Sequence, residues 1–130
     1  MPVDYILDAS ALLALIGTEP GCEKVARILC TQHTAISSVN YAEVAGKLYA
    51  SGRTLAALKN LCQQASIEVV PFDEDQADAC GILKANNRPL GLSLGDCACL
   101  ALAKRRGGPA LTADRLWSQL GTDHAVVVIR

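Results

Sequence analysis

Short apolar runs rich in β-formers alternate along this chain with longer stretches whose apolar side chains recur every three to four residues. Val3 to Leu7 reads as a strand that stops at Asp8-Ala9-Ser10, directly before a helical stretch from Ala11 to Ile16. Thr18-Glu19-Pro20-Gly21 breaks the chain, and Val25, Ile28 and Leu29 give the next segment one apolar face. Thr34 to Ile36 predicts a second strand. Ser37 or Ser38 can cap a helix that starts near Val39 and aligns Tyr41, Val44 and Leu48 before Ser51-Gly52. A further helix is predicted over Thr54–Ala65 and a third strand over Ile67–Phe72. Asp73 and Gln76 then have the spacing of a capping box for a helix reaching about Ala85. After a turn-rich loop, Gly95 to Lys104 is apolar except for Asp96 and ends in Arg105-Arg106-Gly107-Gly108, a basic last turn with a glycine stop. The chain closes with a strand at Ala110–Thr112, a short helix at Arg115–Leu120 and a valine-rich strand at Ala125–Ile129.

Strands that alternate with helices predict an α/β fold, because parallel neighbours need crossovers that helices usually supply. In such sheets ligands bind beyond the carboxyl ends of the strands, which gives a positional test for candidate residues. The 130 residues, 51% of them hydrophobic, match one domain spanning 1–130 with one core. No run approaches the roughly 18 apolar residues of a membrane span, and the start lacks the pattern of a secretory signal, so a cytoplasmic protein is expected. The net charge of −1 gives no general attraction for a polyanion, so any nucleic-acid site must be local. Six cysteines without a Cys-x-x-Cys pair or a histidine cluster read as small hydrophobes rather than zinc ligands or disulfides.

The candidate chemistry lies in carboxylates. Asp8 and Asp114 each occur where an apolar strand gives way to a helix, and both pass the positional test, although either residue taken alone reads first as a helix cap. Asp96 heads the stripe Cys99, Leu100, Ala103. Ser93-Leu94-Gly95-Asp96 is also a capping box, and for this residue alone both readings stay open. Glu43 lies on a line with Val39, Gly46 and Ala50, whose small side chains predict room for an inward carboxylate. Four acids converging on one crevice would repel one another by roughly kilocalories per pair at an effective dielectric near 20, and would take up protons or cations. Carboxylate oxygens suit magnesium or manganese, and such ions serve phosphodiester hydrolysis.

At these residues the sequence resembles the PIN-domain ribonucleases, and among them the VapC-type toxins of bacterial toxin–antitoxin modules. The resemblance runs through Ile6-Leu7-Asp8-Ala9-Ser10, Ile36 to Val44 around Glu43, Leu92-Ser93-Leu94-Gly95-Asp96-Cys97, and Leu111-Thr112-Ala113-Asp114-Arg115-Leu116-Trp117. It implies a three-layer α/β/α sandwich with a mainly parallel sheet, and an endoribonuclease that uses Mg2+ or Mn2+. Asp8, Glu43, Asp96 and Asp114 are implied as the metal-binding acids, with Thr112 and Ser10 as hydroxyl supports. It further implies an RNA substrate, frequent homodimers and a cognate VapB-type antitoxin that inserts a segment into the active-site groove. Some relatives carry another acid shortly after the last aspartate, where this chain has Arg115, Leu116 and Trp117.

Other residues read as structural. The run Asp73-Glu74-Asp75 fits a helix start, and Arg105 and Arg106 fit a helix end. Arg88, in the loop before Asp96, is the better candidate for an RNA phosphate contact. His33 and His124 stand alone in polar surroundings, and Trp117 reads as a core or dimer-interface aromatic. Two readings compete with the nuclease. A phosphoacceptor receiver domain also places aspartates at strand ends but needs a lysine where this chain ends in Arg130, and a non-catalytic α/β binding module would use the acids merely as caps.

Overall fold

A computed structural model describes residues 4–121 and 123–130, so the predicted strand start at Val3 lies outside the described residues. The chain folds as β1 (Tyr5–Leu7), α1 (Ala9–Gly17), α2 (Cys22–Thr31), β2 (Thr34–Ser37), α3 (Ser38–Ala50), α4 (Leu55–Gln64) and β3 (Glu68–Val70). It continues as α5 (Glu74–Asn86), a 3-10 turn (Arg88–Leu90), α6 (Leu94–Arg106), β4 (Ala110–Thr112), a second 3-10 turn (Arg115–Gln119) and β5 (Val126–Val128). The strands form one sheet in the order β3-β2-β1-β4-β5, and every pairing is parallel. A receiver domain has the order 2-1-3-4-5, so the topology does not favour that reading.

Alternation along the strands divides the core into two. Leu7, Ile36 and Leu111 point to one side, where they meet Leu12 of α1, Val25 of α2, Val44 and Leu48 of α3 and Leu58 of α4. Their neighbours Ile6, Ala35 and Ala110 point to the other side, against Cys80 and Leu83 of α5, Cys97 to Ala103 of α6, and Trp117. A three-layer α/β/α sandwich results, in which the central strands β1, β2 and β4 are covered on both faces and the edge strand β3 is largely exposed. All six cysteines are free thiols; Cys62, Cys80, Cys97 and Cys99 are buried, and Cys30 is exposed.

The third strand is shorter than the apolar run Ile67–Phe72 predicts, because its flanks make other hydrogen bonds. Ile67 N–H donates to the carbonyl of Cys62, Pro71 has no N–H, and Phe72 N–H donates to Ser38 Oγ. The predicted Asp73–Gln76 capping box is half made: Asp73 Oδ1 accepts from Gln76 N–H, while the Gln76 amide donates to the Pro71 carbonyl. Among the described residues no helix is long and apolar enough to cross a membrane.

The chain steps outward from β1 to β2 to β3, then returns through α5 and α6 to place β4 on the other flank of β1. The strand order therefore reverses between β1 and β4, and a crevice is expected beyond their carboxyl ends.

Candidate metal centre

Asp8 follows β1 directly and keeps the sheet ladder, its N–H donating to the Leu111 carbonyl at 2.9 Å. The register Leu7↔Leu111 sets Asp8 opposite Thr112. Two hydroxyls hold its carboxylate: Ser10 Oγ donates to Oδ2 at 2.6 Å and Thr112 Oγ1 donates to the same oxygen at 2.9 Å. Each hydroxyl also accepts a backbone N–H from the loop after β4, Ser10 from Ala113 at 2.9 Å and Thr112 from Asp114 at 3.0 Å. Ser10 and Thr112 thus stand where the sequence placed them, beside Asp8, and they tie the two strand ends together. Asp8 makes no side-chain bond as N-cap of α1, so its carboxylate is not occupied as a cap.

Asp8 is only 6% exposed. Burial pushes its carboxyl above the usual range, the Ser10 and Thr112 hydroxyls oppose that, and the charges of Asp96 and Glu43 add to it. The thiol of Cys99, fully buried in α6, is raised well above its usual value by burial and then by Asp8, Asp96 and Glu43. Asp8, at the end of β1, thus feels the charges of Asp96 on α6 and of Glu43, an exposed residue on α3.

Of the two readings left open for Asp96, the structure shows the cap. Its Oδ2 accepts from Ser93 N–H at 2.9 Å and its N–H donates to Ser93 Oγ at 3.1 Å, a complete capping box at the start of α6. The cap fixes the carboxylate within the field of Asp8. Asp114 caps the 3-10 turn through Leu116 N–H at 2.9 Å, and its own N–H binds the Thr112 hydroxyl that holds Asp8. It flanks the group at the end of β4.

Glu43 reaches the group by a route the sequence reading did not foresee. Gly46 and Ala50 are exposed, so they do not make the room expected of them. The space comes from α6: a Cβ on Gly95 would overlap Glu43 Oε1 and lie 2.6 Å from Oε2. Asn40, one turn before Glu43, donates from Nδ2 to Glu43 Oε1 at 3.0 Å and to the Gly95 carbonyl at 2.9 Å. Asn40 and Gly95 contact Glu43, and the sequence reading passed over both. The signal was present as a glycine one residue before Asp96 and an asparagine one turn before Glu43.

The remaining candidates lie elsewhere. Arg88 is exposed at the head of the first 3-10 turn and forms no ion pair among the described residues. Arg105 pairs with Asp73 at 2.8 Å. Arg106 binds Asp4 at 2.7 Å and Glu68 at 2.7 Å, at the amino ends of the strands and the far end of α6 from Asp96. His33 is not alone, as the sequence suggested, because Asp4 draws its Nδ1 to 2.7 Å and Glu68 lies 3.8 Å from its Nε2. Asp4, His33 and Glu68 could geometrically hold a cation, but the Arg106 guanidinium already donates hydrogen bonds to both carboxylates. His124 lies beside Asp123, and Trp117 is a core residue, 1% exposed.

Asp8 and Asp114 thus stand at the carboxyl ends of β1 and β4, where a parallel sheet with this strand order binds ligands, while the one group that brings its ligand atoms within 4.8 Å of one another among the described residues is Asp4, His33 and Glu68. Comparison with known proteins gives the same architecture. The PIN domain matches residues 5–122. The chain is 32% identical over 117 residues to "Ribonuclease VapC" of Mycolicibacterium smegmatis, covering 82% of this chain and 88% of that protein. It is likewise 32% identical to "Ribonuclease VapC30" of Mycobacterium tuberculosis, covering 82% and 86%. Its fold matches VapBC2 from Rickettsia felis bound to a DNA fragment from their promoter, with a TM-score of 0.74, 16% identity and coverage of 98% and 99%. A toxin-antitoxin complex from Klebsiella pneumoniae superposes with a TM-score of 0.76, 16% identity and coverage of 97% and 98%. The strand order, the acids at the strand ends and a match over nearly the whole chain agree: this protein belongs to the PIN-domain family, in its VapC branch.

Proposed function

We propose that this chain is a metal-dependent endoribonuclease, the toxin half of a toxin–antitoxin pair, and that Asp8, Glu43, Asp96 and Asp114 bind its metal. The observation that carries the reading is the buried Asp8 carboxylate, held by two hydroxyls and raised by its burial and, to a smaller extent, by the charges of Asp96 and Glu43. A protein gains nothing in stability from such an arrangement, because like charges in a crevice repel. A divalent cation removes the repulsion. The donors are all oxygens, with no thiolate or imidazole among them, and this favours Mg2+ or Mn2+ over softer ions.

Such an ion supplies Lewis-acid activation of water and neutralises charge at the scissile phosphate. The chain's own residues set the geometry. Ser10 and Thr112 fix which Asp8 oxygen faces inward, Ser93 fixes Asp96, and the Thr112 hydroxyl that grips Asp8 also orders the backbone of Asp114. The site binds RNA through phosphates that the metal attracts, with Arg88, exposed in the turn that precedes α6, as a candidate further phosphate contact, so an overall charge of −1 is no obstacle.

Relatives with this fold are found as toxin-antitoxin complexes, which supports a VapB-type antitoxin as partner; a cytoplasmic, homodimeric, single-domain toxin belongs to the same proposal. The test is cleavage of a fluorophore-quencher RNA by wild type and by single Asn or Gln variants of the four acids, in Mn2+. Each acid variant should lose cleavage while remaining folded. Full cleavage by Asp96→Asn would remove the metal-site assignment, and folded wild type without cleavage would favour the binding-module reading.

A further inference from the structure

Asn40 is fully buried, yet half of its amide is unsatisfied. Nδ2 donates to Glu43 Oε1 at 3.0 Å and to the Gly95 carbonyl at 2.9 Å. Both partners are acceptors, so the amide orientation is fixed: exchanging nitrogen and oxygen would turn an oxygen towards two others. Oδ1 is consequently left buried with no partner among the described residues. A buried orphan carbonyl is a standing cost that an apolar side chain of similar volume would avoid. What the asparagine provides in return is a charge-assisted hydrogen bond to an acid of the proposed metal centre. The same bond spans α3 and α6, which cover opposite faces of the sheet and meet beyond its strand ends.

The opposite wall of this seat is Gly95. Its missing Cβ leaves the space that the Glu43 carboxylate fills, and the early turn of α6 presents its positive end there. Glycine inside a helix is otherwise unfavourable relative to alanine. Two residues that are each locally unfavourable therefore meet on one carboxylate.

We propose that Asn40 is a positioning residue of the metal centre: its two-proton amide holds Glu43 against the Gly95 carbonyl, in the space a glycine leaves, and so directs that carboxylate at the cation. The inference rests on the metal-site reading above and assigns Asn40 no contact with substrate. Asn40 acts through Glu43 alone, so its effect vanishes when Glu43 is absent.

The experiment is calorimetric titration of the full chain with Mn2+ alone, in the absence of RNA, for wild type, Asn40→Ala, Glu43→Ala, the double variant and Asp8→Asn. Loss of a hydrogen bond to a charged group should weaken Mn2+ binding by roughly tenfold or more in Asn40→Ala. The double variant should bind no more weakly than Glu43→Ala. Wild-type affinity in Asn40→Ala, even with a lowered melting temperature, overturns the proposal, and so do additive losses in the cycle. Should Asn40→Ala fail to fold, Gly95→Ala tests the seat from its other wall. It should lose Mn2+ affinity while keeping the helix-forming advantage of alanine, and unchanged affinity overturns the proposal. Asp8→Asn separates the two levels. Unchanged Mn2+ binding in that variant defeats the metal-site reading itself, whereas loss there with none in Asn40→Ala defeats only the assignment of Asn40.

Discussion

Replacing Thr112 by valine keeps the shape of a fully buried side chain and deletes one hydroxyl with two partners. The bond that it donates to Asp8 Oδ2 at 2.9 Å is charge-assisted and buried, worth about 1.5–3 kcal/mol. The N–H of Asp114, which it accepts at 3.0 Å, is only part-buried, so its loss costs about 1 kcal/mol. Thr112→Val should therefore destabilise the metal-free protein by about 2–4 kcal/mol, which for 130 residues lowers the melting temperature by roughly 7–15 °C. The larger part depends on charge. The hydroxyl stabilises ionised Asp8 and lowers a carboxyl that burial raises, so that part of the deficit exists above the Asp8 pKa and disappears as pH falls through it. The smaller, Asp114 part persists at all pH. Urea unfolding of wild type, Thr112→Val and Thr112→Ser in chelator, from pH 3 to 8, measures this, and serine should restore most of the loss. A neutral-pH deficit below about 0.5 kcal/mol, or a full deficit unchanged at low pH, would refute the reasoning.

Asp8→Asn should stabilise the metal-free protein at neutral pH by on the order of 1 kcal/mol, since it removes a buried charge that faces two others. Because the folded carboxyl is raised, the advantage should be absent below the ordinary value of 3.8 and grow as pH rises through the folded value; thermal melts that show the variant less stable at pH 7 would contradict this. Arg106→Met at the other sheet edge should cost about 1 kcal/mol, because its partners are partly exposed and solvent screens the ion pairs. Hydrogen bonds from Arg106 hold Asp4 and Glu68 below the usual carboxylate range, so that loss should appear above their ordinary values of 3.8 and 4.5 and fade as pH falls through the lowered ones. RNA cleavage by Arg106→Met should match wild type, and a large drop would mean the amino ends of the strands contribute to the site.

The layered fold was legible because period-two and period-3.6 patterns stay separate along most of this chain, and the acids at strand ends were legible because Asp8 and Asp114 stop apolar runs. The Asp96 cap was legible because the Ser93–Asp96 spacing is local to one helix turn. The room for the Glu43 carboxylate does not come from its own helix. Its room depends on Gly95, 52 positions away by chain number and on another helix, and periodicity within α3 carries no information about that contact. His33 was misjudged for the same reason, because Asp4 and Glu68 reach it only when three strands align at their amino ends.

The most direct test of the metal centre is to incubate a cellular RNA pool with purified wild type and Asp8→Asn, in Mg2+ or Mn2+ and in excess chelator, and to map new RNA ends by sequencing. The account predicts discrete cuts that require both the metal and Asp8. Cuts that persist in chelator, or that Asp8→Asn makes as well as wild type, would contradict it.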